Sequence, residues 1–248
     1  MSGGFPDHFS RQADAYQVYR PGYPAEMFDW LASLTPQHHV AWDCATGSGQ
    51  SAIQLARHFQ TVFATDASQA QLHNAVQLGG VQYLACTAEQ VPFADHRIDL
   101  ITVAQALHWF RLDEFYAEVR RVLKQGGVLA VWTYNLLTIT PELDALIHEL
   151  YADVLGNYWP FERKHIESGY QELAFPFNRV AAPDFAMGMD WTLEHLLGYL
   201  STWSAVQRYM AERGIDPVLS MQPRLQSAWG DVRVRYTQWP LSLLVGRN

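Results

Sequence analysis

Asp43-Cys44-Ala45-Thr46-Gly47-Ser48-Gly49 is the stretch on which the fold turns. His39–Cys44 before it reads as a strand, and Gln50–His58 after it reads as a helix. A glycine turn between a strand and a helix N-terminus lets backbone approach a ligand closely, and the helix dipole favours negative charge there. The alternation continues outward. Thr61–Thr65 is a strand ending at Asp66. Ser68 caps a helix that carries Leu72, Ala75 and Val76 and stops at Gly79-Gly80. Val81–Cys86 and Ile98–Ala104 are strands. Asp113 opens a helix with Phe115, Val119, Val122 and Leu123, closed by Gly126-Gly127, and Val128–Tyr134 is the fifth strand. Short β-branched runs joined by helices of about ten residues predict a parallel sheet covered on both faces.

The flanks read differently. Residues 1–24 are polar and rich in tyrosine and proline, and Pro24 suits the first turn of a helix in which Met27, Phe28, Leu31 and Leu34 share a face. After Asn135, Thr140-Pro141 is a cap followed by a proline at the first helical position. Leu143, Leu146, Ile147 and Leu150 then line one side of a helix. Residues 156–180 are aromatic and irregular. Phe185–Asp190 is a candidate strand, helices follow at 192–202, 203–213 and 217–229 with a stop at Gly214, and Trp239–Gly246 is a final strand. The predicted architecture is α/β, doubly wound and Rossmann-like, with a helical lid inserted after strand five. Its parts are an N-terminal arm and helix (1–38), a core (39–135), the lid (136–182) and a C-terminal part completing the sheet (183–248).

Composition narrows the function. The 248 residues are 49% hydrophobic and 17% charged, with a formal net charge of -8. Scattered basic residues argue against a nucleic-acid surface. The N-terminus lacks a signal-peptide pattern and no apolar run approaches a membrane span, so the expected partner is a small molecule and the expected compartment the cytoplasm. Cys44 and Cys86 cannot form a disulfide framework. The ten histidines show no metal-ligand spacing, so no metal is expected. Nine tryptophans and twelve tyrosines suit a pocket for planar ligands, though aromatics also fill cores. Monomer and homodimer both stay open.

Asp66 lies about twenty residues beyond the glycine turn, where an acid can accept from both ribose hydroxyls of an adenosine-containing cofactor. Gly47-x-Gly49-x-x-Ala52 formally satisfies the dinucleotide fingerprint, which makes a nicotinamide-dependent oxidoreductase the alternative. Asp43 opposes it, because a carboxylate at the strand end repels a pyrophosphate and suits an ammonium.

At these residues the chain resembles the class I S-adenosylmethionine-dependent methyltransferases. Asp43-x-Ala45-x-Gly47-x-Gly49 matches their glycine motif, with Ala45 at the first glycine. One methyl fits there if its backbone angles are ordinary. Thr87-Ala88-Glu89-Gln90-Val91-Pro92-Phe93 looks like the adenine-flanking segment. Gln105-Ala106-Leu107-His108-Trp109-Phe110 looks like the cofactor-facing end of strand four, and Leu123-Lys124-Gln125-Gly126-Gly127 like the turn before strand five. Tyr16 through Pro24, Thr202-Trp203-Ser204-Ala205-Val206 and Trp239-Pro240-Leu241 are similar to the type 11 branch that contains trans-aconitate methyltransferase.

The resemblance implies a seven-stranded sheet whose last strand is antiparallel. It implies S-adenosyl-L-methionine as cofactor, held by Arg20, Asp43, Ala45, Gly47, Gly49, Asp66, Ala67, Ala88, Glu89 and Gln105. The methyl acceptor is then a small molecule, with O-methylation of a carboxylic acid as the leading reaction; Trp109 reads as pocket rim, and Tyr16, Tyr19, Tyr134, Trp159 and Trp203 read equally as substrate contacts and as core packing. His108 is the candidate general base, against the plainer reading of a pocket-wall residue. Arg163-Lys164-His165 is either an attractor of an acidic substrate or a solvated helix face. A cofactor-binding regulatory protein without turnover is the reading from outside the enzymes.

Overall fold

The structure, a computed structural model, describes residues 22–248. In chain order its helices are α1 (Ala25–Ser33), α2 (Gln50–Leu55), α3 (Gln69–His73), α4 (Leu112–Val122), α5 (Pro141–His148), α6 (Arg163–Glu167), α7 (Leu193–Ser201), α8 (Ser204–Arg213) and α9 (Pro217–Trp229). The strands are β1 (Val40–Cys44), β2 (Thr61–Asp66), β3 (Val81–Ala85), β4 (Ile98–Ala104), β5 (Leu123–Tyr134), β6 (Asn178–Val180), β7 (Phe185–Trp191) and β8 (Arg235–Arg247). The described chain divides into two units. One contains Gly22–Tyr134, Lys164–Phe185 and Leu241–Asn248; the other contains Asn135–Arg163 and Ala186–Pro240.

The first unit is built on strands in the order β3-β2-β1-β4-β5-β8-β6. β1 to β5 are mutually parallel, and β8 runs antiparallel to both β5 and β6. The sheet is mostly parallel as expected, with seven strands along this path and β7 as an eighth that pairs with β8. Successive residues point to opposite faces. Ala41, Leu100, Val128 and Ala130 pack with Met27, Phe28 and Leu31 of α1 and Leu55 of α2. Trp42, Ile101, Leu129 and Val131 pack on the other face with Phe115, Val119 and Val122 of α4. Both faces are thus covered, which is why these strands read as continuous apolar runs. Ile166, Tyr170 and Phe177 join the α4 face, so residues 164–182, assigned to the lid from sequence, belong to the unit that holds this core.

Three local expectations change. α3 ends at His73 rather than running to Gly79, because the Val76 carbonyl accepts from the Tyr83 hydroxyl (2.8 Å) instead of continuing a helix ladder. α4 ends at Val122, and Gly126-Gly127 lie inside β5, where Gly126 has φ +73° beside a register shift against β4. That is a bulge and not a helix stop. The short β6 is added at the sheet edge, and the segment expected as the sixth strand is β7, which pairs with β8.

In the second unit, Thr140 and Asp216 cap α5 and α9 through their side chains, each followed by proline at the first helical position. Gly214 closes α8 in the left-handed conformation. Its interior is aromatic: Trp191 and Trp239 meet edge to face with centroids 4.8 Å apart, and Tyr199 and Trp203 continue the cluster. No helix among the described residues is long and apolar enough to cross a membrane.

Candidate functional site

Parallel strands of a doubly wound sheet deliver their loops to one edge, where ligands bind outside the carboxyl ends. β1, β2 and β4 deliver Asp43, Asp66 and Gln105 there. Asp43 is buried, 1% exposed, and its two oxygens accept from the hydroxyls of Thr46 in the glycine loop and Thr102 on β4 (2.7 Å to Thr102). Burial pushes its carboxyl up to about 6 from 3.8; the two threonine hydroxyls oppose that and the charge of Asp66 adds to it. Asp43 therefore ties the loop to the sheet and acts on a ligand through its charge.

Asp66 accepts from the backbone N–H of Gly47 (2.9 Å) on one oxygen and of Ser68 (2.8 Å) on the other. It is half-buried, and burial raises its pKa against those two bonds. Each carboxylate oxygen has a second lone pair, so capacity remains for a pair of vicinal hydroxyls. Gly47 has φ +56° and Gly49 φ +88°, both left-handed. A Cβ at Gly49 would fall 2.5 Å from the Tyr83 hydroxyl oxygen, so glycine is required twice over. Ala45 has φ +54°. The expectation of ordinary backbone angles there is corrected: the methyl is carried in a conformation natural to glycine, because the loop must turn out of β1 at that residue.

The remaining cofactor candidates divide. Ala67 is exposed beside Asp66 and Ala88 is buried after β3. Glu89 accepts from the Arg111 backbone N–H (3.0 Å), at the entry to α4. Gln105 also has positive φ, +54°, and its amide is held by β5: it donates to the Tyr134 carbonyl (2.9 Å) and accepts from the Thr133 hydroxyl (2.7 Å). A left-handed, fully anchored residue at a strand end is strained by its surroundings, as residues at functional edges often are. Arg20, Tyr16 and Tyr19 lie outside the described residues.

His108 sits on a single 3-10 turn, Leu107–Trp109, just past β4. Its Nδ1 shares a 2.8 Å hydrogen bond with the Tyr170 hydroxyl, and its ring lies 4.7 Å from that of Trp109. Tyr170 is fully buried with φ +63°, preceded by Gly169 at φ +58°. Sequence reasoning missed Tyr170; the legible hint was a glycine after a short helix, not the aromatic beside it. Tyr134, also buried, ends β5. Trp159 and Trp203 belong to the second unit, 5.5 Å apart with Tyr151 against both. No group of histidine, cysteine and acidic residues among the described residues is suited to a metal ion. Cys44 is buried, which raises its thiol pKa; Cys86 is only partly covered, and both are free.

Comparison with known proteins adds to this geometry. Residues 42–131 match the family described as methyltransferase domain. A Dictyostelium discoideum protein, provisionally named a methyltransferase without a stated substrate, is 31% identical over 252 residues, covering 98% of this chain and 96% of its own length. A solved structure from Anaeromyxobacter dehalogenans, provisionally described as a type II methyltransferase, has 41% identity and a TM-score of 0.89 over 92% of this chain and 98% of that one. The solved [4+2]-cyclase SpnF has 15% identity and a TM-score of 0.50 over 97% of this chain and 94% of its own; it shares the fold alone.

Proposed function

The chain belongs to the methyltransferases, and from that premise we propose that it transfers a methyl group from S-adenosyl-L-methionine to a small-molecule acceptor, a carboxylic acid oxygen being the acceptor atom. The observation that carries the cofactor is the pair of carboxylates flanking the glycine loop. Asp43 and Asp66 both feel burial, each accepts only from hydroxyl or backbone donors, and neither is paired with a lysine or arginine among the described residues. Two acids without a cation favour a ligand carrying sulfonium and ammonium charge and disfavour a pyrophosphate.

When bound, S-adenosylmethionine supplies an activated methyl group whose departure leaves a neutral thioether and asks no proton of the protein. Asp66 holds vicinal hydroxyls, and Gly47 and Gly49 let backbone approach. Ala67, Ala88 and Glu89 border the purine side, and Gln105 fixes the edge between β4 and β5. Arg20 pairs with the carboxylate of the methionine portion. Trp109 just past β4 and Tyr134 at the end of β5, on the sheet edge that carries the glycine loop and the acids, exclude water around the acceptor. A carboxylate acceptor is already ionised and needs no base, so His108 acts as a wall held by Tyr170. His108→Ala then lowers turnover and leaves cofactor affinity unchanged; a turnover equal to wild type across neutral pH would remove His108 from the reaction. The trans-aconitate likeness of the N-terminal and tryptophan-containing segments is the support for a carboxylic acid.

The test is calorimetric titration with S-adenosylhomocysteine and, in parallel, NADH. Micromolar binding of the first alone is expected. Binding of NADH alone would move the chain to the oxidoreductases, the reading that the Gly47-x-Gly49-x-x-Ala52 spacing formally allows.

A further inference from the structure

We propose that Arg163 is an anion-binding residue and that it takes a carboxylate; the choice of ligand class rests on the methyl-transfer reading above, which has a carboxylic acid as acceptor. The Arg163 guanidinium lies over two rings, its carbon 4.7 Å from the Trp159 centroid and 5.3 Å from that of Tyr151. Its Nε donates to the Tyr151 hydroxyl (2.9 Å) and its Nη2 to Asn135 Oδ1 (3.0 Å). Both acceptors are neutral. Nη1 donates to no described residue, and no acidic residue among those described pairs with this cation. Some arginines meet acids, Arg224 forking onto Glu149 at 2.6 and 2.7 Å and Arg121 onto Glu118 and Asp95, while Arg120, Arg235 and Arg247 donate to backbone carbonyls. At Arg163 the fork is aimed and held flat while its charge is unmatched, in a chain of net charge -8. A guanidinium cannot shed its proton to escape that situation.

The surroundings are rigid in a way that suits recognition. The Trp159 indole donates to the Tyr151 carbonyl (3.0 Å), and Trp203 packs on both rings. Tyr151 sits on a π-helical turn, Glu149–Val154, closed by Leu155 N–H to Leu150 O (3.0 Å). Such turns recur at functional sites, where they re-aim one side chain. Here the re-aimed side chain is the one that accepts from Arg163. The pair of N–H groups on Nη1, with the second on Nη2, matches the two oxygens of a planar carboxylate.

The experiment titrates succinate, citrate and benzoate into the full-length protein, with succinamide and benzamide as neutral controls and inorganic phosphate as the competing anion. Each is run with and without S-adenosylhomocysteine, in wild type, Arg163→Gln and Arg163→Lys. At least one carboxylate is expected to bind wild type, its amide not. Arg163→Gln is expected to weaken that binding about tenfold or more, and Arg163→Lys, which keeps the charge and loses the fork, by less. S-adenosylhomocysteine affinity stays within about twofold in both variants, a readout that general loss of structure would move. Should Arg163→Gln not fold, the lysine variant alone decides. The proposal is overturned by wild-type carboxylate affinity in the folded variants, by equal binding of acid and amide, by tighter phosphate binding, or by no carboxylate binding at millimolar concentration. Binding of S-adenosylhomocysteine with no carboxylate binding sinks Arg163 alone; carboxylate binding lost in Arg163→Gln without any S-adenosylhomocysteine binding sinks the methyl-transfer reading alone.

Discussion

Asp43 shows how a functional charge is held against its own preference. Burial outweighs the two threonine hydroxyls, and the carboxyl rises from 3.8 to about 6. The folded state therefore binds this proton more tightly than the unfolded chain does. The group costs nothing below about pH 4, the cost grows between about pH 4 and 6, and it levels off above that at about 3 kcal/mol. Asp43→Asn removes the ionisation and keeps the shape. The unliganded variant is expected to be more stable than wild type at neutral pH, by about 1–2 kcal/mol after imperfect hydrogen bonding to Thr46 and Thr102 is allowed for. The gap should narrow below about pH 6 and close as pH falls towards about 4. Urea titrations at the two pH values measure it, and parallel curves for both proteins would show that burial does not govern this carboxyl. Ala45 is a second local conflict. Its φ of +54° costs about 1 kcal/mol relative to glycine, partly offset by the greater freedom glycine has when unfolded. Ala45→Gly is expected to raise the urea midpoint by the equivalent of about 0.5 kcal/mol. A lowered midpoint would mean that the methyl packs usefully in the loop.

At the scale of elements, the segment after β3 depends on α4. Glu118 accepts from the Val91 backbone N–H (2.8 Å). Arg121 donates to Glu118, to Asp95 and to the carbonyls of Val91 and Phe93. The hydrogen bond from Arg121 holds the Glu118 carboxyl below its usual range. The Arg121 side chain is 35% exposed, so the ion pairs themselves add little, and the carbonyl contacts carry most of the effect. Arg121→Ala is expected to cost about 1–2 kcal/mol and to speed hydrogen exchange at the Val91 amide. Unchanged exchange there would mean that Glu118 holds the segment alone. None of this was legible in the sequence, because a helix reaching back to a loop leaves no periodic trace. What was legible were signals with a local cause: the Thr140 cap ahead of proline, the Gly214 stop, and the apolar runs of β1, β4 and β5. Gly126-Gly127 misled because a bulge and a helix stop ask for the same residue. Ile166, Tyr170 and Phe177 joined the core unannounced, since only tertiary packing distinguishes them from the irregular stretch around them. In the candidate site the glycine loop and the two acids could be read, whereas Tyr170 behind His108 and Asn135 beside Arg163 could not.

For the whole molecule, the parallel sheet gathers charges that no single element would tolerate. β1, β2 and β4 end at one edge, so the charge of Asp66 adds to the cost that burial puts on Asp43. A cationic ligand reverses that balance, which couples stability to occupancy. S-adenosylhomocysteine, though it lacks the sulfonium, retains the ammonium and the ribose hydroxyls. At about 100 times its dissociation constant it adds about 2.7 kcal/mol, or a rise of roughly 5–10 °C in melting temperature for a chain of this size. Asp43→Asn is expected to melt higher than wild type without ligand and to gain much less from it, so that the order of the two proteins reverses at saturation. Because the described chain has two units, the transition is best followed by hydrogen exchange at amides of β1, β2 and β4 rather than by a single global signal. Equal ligand-induced protection in wild type and Asp43→Asn would mean that the acid at the end of β1 serves only to tie the loop, and that its charge has no part in choosing the ligand.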